Sequence, residues 1–404
     1  MSNSEWGCYK LSEVIKVKSG SSLSNAKMEC GDIPVYGGNG ISGYHSTYNT
    51  EQSKLIIGRV GEYCGAIYQS RAYSWITDNA LFVSEKKISI SDEYLYFLLC
   101  FLDLNKYANR NAQPLISGKT LDQVMCYVPT CKKEQQKIAE ILSTVDRKID
   151  LIDKKIAATK TLKIGLMQKL FSEGVGVQDD EGHWQPHTKF KDSLLGKIPD
   201  SWKTVKLEEI SVINPKPYKP ESMDTLVSFV GMADTSEDAK LISPSVKKYE
   251  EVKKGFTSFL ENDVLVAKIT PCFENGKGAL ARELKNGIGF GSTEFHVIRA
   301  NYGLSCPDFI YYLTTSGAFR SQGEFNMTGT AGQKRVSKNF IEKYLIACPP
   351  LIEQQMISNI LNSIDKKLSL LEQQKAETKN LKKGLMQKLL TGEWRVSLNE
   401  IENT

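Results

Sequence analysis

Apolar residues recur with a four-three spacing in two long stretches of the chain. Ile138, Leu142, Val145, Ile149, Ile152 and Ile156 form one series; Ile357, Leu361, Ile364, Leu368 and Leu371 form the other. Heptad spacing lays a single apolar seam along a helix and asks for a partner helix. Gly174 and Gly392 close the two stretches, as expected just past helix ends. About 38 residues at roughly 1.5 Å each give a rod near 57 Å, too long for a compact domain. Two matching seams in one chain predict an intramolecular antiparallel pair. The strict spacing lapses at Thr159 and Thr378 and resumes with Leu162, Leu166, Leu170 and with Leu381, Leu385, Leu389. That lapse predicts a local stutter.

Elsewhere the apolar runs are short and strand-like: 54–57, 80–83, 263–267 and 294–298, bounded by glycine or charged turns. The expected class is α+β. Mixed, strand-rich globular bodies occupy 1–130 and 201–351, and long helices occupy 131–175 and 352–395. Residues 176–200 form a polar linker holding Pro186 and Pro199, and 396–404 form a C-terminal tail.

The chain is written twice. Glu134-Gln-Gln-Lys-Ile-Ala-Glu-Ile-Leu returns at Glu353, and Gly165-Leu-Met-Gln-Lys-Leu returns at Gly384, both at an offset of 219. From 134 to 172, 20 of 39 aligned positions are identical, so internal duplication organises the whole molecule. Trp6, Lys10, Leu11 and Glu13 answer Trp202, Lys206, Leu207 and Glu209 at an offset of 196. The segment 92–98 answers 307–313 at an offset of 215, and Gln113, Ser117 and Pro129 answer Gln333, Ser337 and Pro349 at 220. The offset grows by 19 between the first two anchors, so the second body carries about nineteen extra residues in its first half. Each unit has a variable body and a repeated helical tail.

Composition excludes classes without naming a function. Hydrophobic residues at 41% and charged residues at 25% describe an ordinary globular chain of 404 residues. No run approaches a membrane span, and the start lacks an apolar signal segment. Nine cysteines with no CxxC pair point to free thiols in a reducing, cytoplasmic setting. The net charge of +5 permits nucleic-acid binding without demanding it. By segment the first body is neutral, the first helix is +4 and the second body is +2. Any basic face on the bodies must therefore come from folding. Lys160, Lys163 and Lys169, with Lys379, Lys382, Lys383 and Lys388, read as a solvated helix face.

Catalytic motifs fail on inspection. Gly38-Asn-Gly-Ile-Ser-Gly43 has the GxGxxG spacing, but poor helix formers follow it, so the phosphate-cradling helix is missing. Gly118-Lys-Thr lacks the earlier P-loop glycine, and Asn214-Pro-Lys-Pro lacks the aromatic of the methyltransferase motif it resembles. His183 and His187 lie four apart in the linker without HExxH, which favours chance spacing over zinc. With four histidines and no Ser/His/Asp or Cys/His pattern, neither a catalytic centre nor a metal site is expected.

Two glycine-rich regions carry polar side chains suited to reading bases. In the first body these are Tyr36, Asn39, His45 and Arg59. In the second they are Lys268, Thr270, Asn275, Lys277, Thr293, Glu294 and His296, joined by Lys334 and Arg335. Arginine pairs with guanine, asparagine with adenine, and glutamate accepts from cytosine. Glycine lets the backbone approach a phosphate. These thirteen residues are the candidate DNA contacts; the bland alternative is polar turns facing water.

Two variable bodies, each followed by a helix opening Pro-x3–4-Glu-Gln-Gln and closing Leu-Lys-x-Gly-Leu-Met-Gln-Lys-Leu, resemble the specificity subunit of type I restriction-modification systems. The resemblance covers nearly the whole chain, and 268–277 and 291–297 also look like segments of that family's target-recognition domains. It implies two such domains held apart by an antiparallel coiled coil with pseudo-two-fold symmetry. Each domain would read one half of a bipartite asymmetric site in double-stranded DNA, and the helices would act as a ruler. Ile138, Leu142, Val145, Ile149, Ile152, Ile357, Leu361, Ile364, Leu368 and Leu371 would form the seam and the docking platform for two methyltransferase subunits. A restriction and translocation subunit would complete the complex, in the cytoplasm and away from membranes. The chain itself would be non-catalytic and hold no cofactor, with S-adenosylmethionine, ATP and magnesium on its partners. Two other readings remain: a coiled-coil scaffold bridging protein partners without touching DNA, and a single-chain enzyme of unrecognised mechanism.

Overall fold

A computed structural model describes residues 5–110, 113–330 and 332–397. The chain divides into two compact units, one formed by 1–155 with 371–404 and the other by 156–370. Most of the expected C-terminal tail, 398–404, lies outside the described residues.

The first unit opens with strand Trp6–Lys10, which pairs antiparallel with Met125–Pro129. A four-stranded sheet follows in the order Ile15–Ser19, Ala80–Lys86, Leu55–Gly58, Ile67–Gln69, beside a three-stranded sheet of Gly40–His45, Ile33–Gly37 and Trp75–Ile76. The second unit repeats this plan. Lys203–Lys206 pairs with Leu345–Cys348, and Ser211–Ile213, Phe295–Ala300, Val264–Ala267 and Gly278–Leu280 form the four-stranded sheet. Much of its extra length becomes helix Tyr249–Val252 and strand Thr257–Leu260, which adds a fourth strand to the other sheet. The four strand-like runs in the sequence all coincide with observed strands.

The repeated motifs are joints. Glu13 accepts the Lys10 backbone N–H at 2.7 Å and Glu209 accepts that of Lys206 at 2.7 Å, satisfying the first turn of a short helix in each unit. Leu11 and Leu207, the residues between, are buried at 1% and 0% exposure. Gln135 and Gln354, central in the Glu-Gln-Gln motif, are fully buried at the start of the long helices. The Gln135 amide donates to Ser89 O and Pro129 O at 2.9 Å each and accepts from Ser91 N at 3.0 Å. Gln354 repeats the arrangement with Leu304 O, Pro349 O and Cys306 N. Each glutamine thus clamps its helix to its own body.

The long helices run Lys132–Ser172 and Leu351–Leu390. In the first unit Asp146 meets Lys382 at 2.7 Å and Asp153 meets Lys375 at 2.5 Å. Numbers rise on one helix as they fall on the other, so the pair is antiparallel. In the second unit Lys163 meets Asp365 at 2.6 Å, and Leu170 shares a core with Ile357 and Leu361.

These contacts correct the expected stutter. Thr159 and Thr378 are buried at 6% and 4% exposure, whereas Leu162 and Leu381 stand 49% and 54% exposed. The seam passes through Thr159, Lys163 and Leu166, and through Lys375, Thr378, Lys382 and Leu385, with unbroken four-three spacing. Lys163 and Lys382 are therefore inward-facing seam residues, neutralised across the pair, and do not belong to the solvated face. Leu389→Ala (4% exposed) should cost about 2–3 kcal/mol in urea unfolding, and Leu381→Ala less than about 0.5 kcal/mol. The opposite order would restore the stutter.

Residues 176–200, expected as a plain linker, form two hairpins: Val177–Gln178 with Trp184–Gln185, and Phe190–Ser193 with Gly196–Pro199. Ile198 is buried, and the His187 side chain is held against Glu353 at 2.9 Å. His183 is exposed beside Asp179 and Glu181.

Candidate nucleic-acid interface

Each unit builds the same backbone junction from four loops. In the first, Arg59 N donates to Asn79 O, Thr77 N to Tyr36 O, Ile116 N to Arg59 O and Gly61 N to Pro114 O, at 2.9–3.1 Å. In the second, Lys268 N donates to Glu294 O, Ser292 N to Val230 O, Val336 N to Lys268 O and Thr270 N to Lys334 O, also at 2.9–3.1 Å. Arg59 thus corresponds to Lys268, Thr77 to Ser292, Asn79 to Glu294, and Pro114 to Lys334. The main chain is kept and the side chains change.

In the first unit the GxGxxG segment is a hairpin: strands Ile33–Gly37 and Gly40–His45 meet through Gly38 and Asn39, with Gly40 at φ +77°. A left-handed φ is what glycine supplies there. Asn39 is exposed at the turn and accepts a hydrogen bond from Tyr68 Oη at 3.1 Å. Arg59 donates to Ser19 Oγ and Asp78 O, both at 3.1 Å.

In the second unit Arg335 grips Glu294 with two hydrogen bonds, Nε at 3.0 Å and Nη2 at 2.9 Å. This bidentate contact, first among the causes, holds the Glu294 carboxyl below its usual range. Lys268 lies close enough to add to that effect. Lys277 donates to Met232 O at 3.1 Å and Asn275 to Glu237 at 2.9 Å, while Thr270 bonds Glu274. Thr293 and Lys334 are exposed at the junction. Arg59, Lys268, Thr270, Glu294, Lys334 and Arg335 meet at these two junctions.

Three other candidates do not stand on exposed loops as expected. Tyr36 is buried and its hydroxyl accepts from Arg71 N at 3.1 Å. His45 is buried, accepts from Glu29 N at 3.0 Å and packs edge-on against Trp75. His296 is buried between Val336 O, at 2.9 Å from Nε2, and the Asn214 amide, at 3.1 Å from Nδ1. The carbonyl can only accept, so Nε2 carries the proton and Nδ1 accepts from Asn214. Asn214, noted for its methyltransferase-like motif, is thereby a structural partner.

Burial lowers the His296 pKa below its usual value. The unfolded chain then takes up this proton first as pH falls through about 6.5, and the folded state loses stability below that point. Melting temperature should drop between pH 7 and pH 5.5, and the drop should shrink in His296→Gln. An identical pH response in the variant would contradict this assignment.

Sequence reasoning passed over Thr77, Asn79 and Gln113, which line a cleft beside the Gly38–Asn39 turn. The repeat carries the signal: the counterparts of Thr293 and Glu294 at the 215 offset are Asp78 and Asn79. The ten seam residues selected for partner docking are buried or half-buried along the helix pair. Among the described residues, no group of acidic, cysteine or histidine side chains is arranged to hold a metal, and no helix is long and apolar enough to cross a membrane.

The family model described as "Type I restriction modification DNA specificity domain" matches residues 3–160 and 199–380. The type I restriction enzyme EcoEI specificity subunit of Escherichia coli is 38% identical over 200 residues, 48% of this chain and 33% of that protein. The chain therefore spans about a third of that relative's length. The type I restriction enzyme MjaVIII specificity subunit of Methanocaldococcus jannaschii is 26% identical over 329 residues, 77% of this chain and 72% of that one. The solved S subunit of a type I restriction-modification system from M. genitalium shares the fold, with TM-score 0.56 at 15% identity over 96% of this chain and 97% of that one. Each matched segment begins in one body and runs into its long helix, and on that ground the chain belongs to the type I restriction-modification DNA specificity family.

Proposed function

We propose that this chain is the non-catalytic sequence reader of a type I restriction-modification complex, each unit reading one half of a bipartite site in double-stranded DNA. The observation that carries this is the doubled junction: one backbone frame holds Arg59, Thr77 and Asn79 in the first unit and Lys268, Ser292 and Glu294 in the second. A fixed frame with different readers suits two different half-sites.

Two methyltransferase subunits would dock on the paired helices, and a restriction and translocation subunit would join them. S-adenosylmethionine, ATP and magnesium would belong to those partners. The cytoplasm is the compartment such a complex needs. With the seam turned inward, docking falls to other positions. Leu151 and Leu162 are 52% and 49% exposed, and their repeat counterparts Leu370 and Leu381 are 58% and 54% exposed. Exposed leucines kept at the same two positions of both copies suit a partner that binds each copy alike.

A gel-shift on random duplex DNA, with and without methyltransferase subunits, tests the reading: a discrete complex that survives excess non-specific competitor supports it. Binding that ignores sequence opposes it. Removing one heptad from each long helix shortens each by about 10.5 Å, about three base pairs. The tolerated gap should shrink by that amount with the half-sites unchanged. An unchanged gap would rule out the helices as the ruler.

A further inference from the structure

The cleft in the first unit has a volume of about 540 Å³, within the range of small-ligand sites. Thr77, Asn79, Gln113, Asn39, Glu62 and Tyr63 contribute to its wall. Thr77 is 4% exposed, and its hydroxyl has no hydrogen-bond partner among the described residues. A buried hydroxyl without a partner is unfavourable and is satisfied when a ligand supplies one. Gly37 leaves the approach uncovered, since a Cβ there would stand 3.5 Å from Ser42 Oγ and 3.8 Å from Thr77 Oγ1.

The lining chemistry selects the ligand. Among the described residues no lysine or arginine borders the cleft, and Glu62 adds a negative charge, so a phosphate is disfavoured. Asn79 and Gln113 are exposed carboxamides, each offering a donor and an acceptor. Tyr63, 51% exposed, offers an aromatic face for stacking. A neutral planar heterocycle with mixed donors and acceptors meets all of these terms. Stacked base pairs present only their edges along a groove, whereas a concave cleft admits a base that has left the stack.

We infer that this cleft holds a single nucleobase rotated out of the duplex, with the Thr77 hydroxyl and the Asn79 carboxamide on its hydrogen-bonding edge. The inference rests on the DNA-reading function proposed above and deepens it. It applies to the first unit alone. At the matching position of the second unit Ser292 Oγ accepts from Glu294 N at 3.2 Å, and Arg335 occupies Glu294.

Saturation-transfer NMR on the full chain, with deoxyadenosine, deoxyguanosine, deoxycytidine and thymidine titrated separately, tests it without phosphate. At least one nucleoside should show ring-proton transfer at millimolar concentration. The transfer should fall at least fivefold in Thr77→Val, which keeps the side-chain shape, and in Asn79→Ala, at an exposed position. Leu194→Ala, at an 84% exposed position of the second unit, should leave it unchanged. Transfer from none of the four, or transfer that survives both first-unit variants, overturns the inference. Sequence-specific duplex binding without nucleoside transfer defeats the cleft alone; loss of sequence-specific duplex binding by the unaltered chain defeats the parent reading.

Discussion

Glu353→Ala should lower the unfolding free energy of the second unit by about 3–5 kcal/mol, the range for removing one partner of a buried charged contact. Glu353 is 1% exposed. One carboxylate oxygen accepts from Val175 N at 2.9 Å, Gly176 N at 3.1 Å and His187 Nε2 at 2.9 Å; the other accepts from Trp202 Nε1 at 2.8 Å. The contact ties the segment after one long helix to the start of the other and to the first strand of the body. Alanine strands four donors in a site closed to water. Glu353→Gln keeps the size but can satisfy fewer of them, so its loss should be smaller. Urea unfolding monitored by Trp202 fluorescence checks both variants, and a loss below about 1 kcal/mol for alanine would contradict the keystone role. The first unit meets the same need differently: Arg395 holds Glu134 through Nε at 2.7 Å and Nη2 at 2.9 Å and lies over the Trp6 ring.

Arg335→Ala should abolish discrimination at one base-pair position of the second half-site, weakening preferred over substituted duplexes by roughly tenfold or more. The guanidinium is oriented by Glu294 from behind, yet its side chain remains 43% exposed. The Nη1 and Nη2 hydrogens not used by Gln333 O and Glu294 would supply a guanine edge. Removing it would also deprive the Glu294 carboxylate of its cation, and such a carboxylate repels phosphate and accepts from a cytosine amino group. Arg335→Lys should recover charge but not the bidentate geometry, so affinity returns further than specificity. Competition binding across single-substituted duplexes separates the two. Uniform weakening at every position would make Arg335 a phosphate contact instead.

The heptads, the duplication and the strand runs were legible because burial selects residue type at fixed spacing. Thr159, Lys163, Lys375 and Lys382 hid the rest of the seam. A reader of apolar periodicity passes over polar residues, and only the Asp153, Asp146 and Asp365 partners across the pair reveal their direction. Glycine-rich segments also pointed to the two matched junctions. It could not separate Asn39 and Arg335, which face outward, from Tyr36, His45 and His296, whose hydrogen bonds lie within the fold. Thr77 escaped notice because a single threonine carries no motif. What marks it is burial without a partner among the described residues.

The central claim is that the two units read two different sequences at one fixed separation. Selection from a randomised duplex library by the chain with its methyltransferase subunits measures this directly. The account predicts two unlike half-sites with an invariant unread gap, and Arg335→Ala relaxing one position in only one of them. A single contiguous motif, two identical half-sites, or no enriched sequence would contradict it.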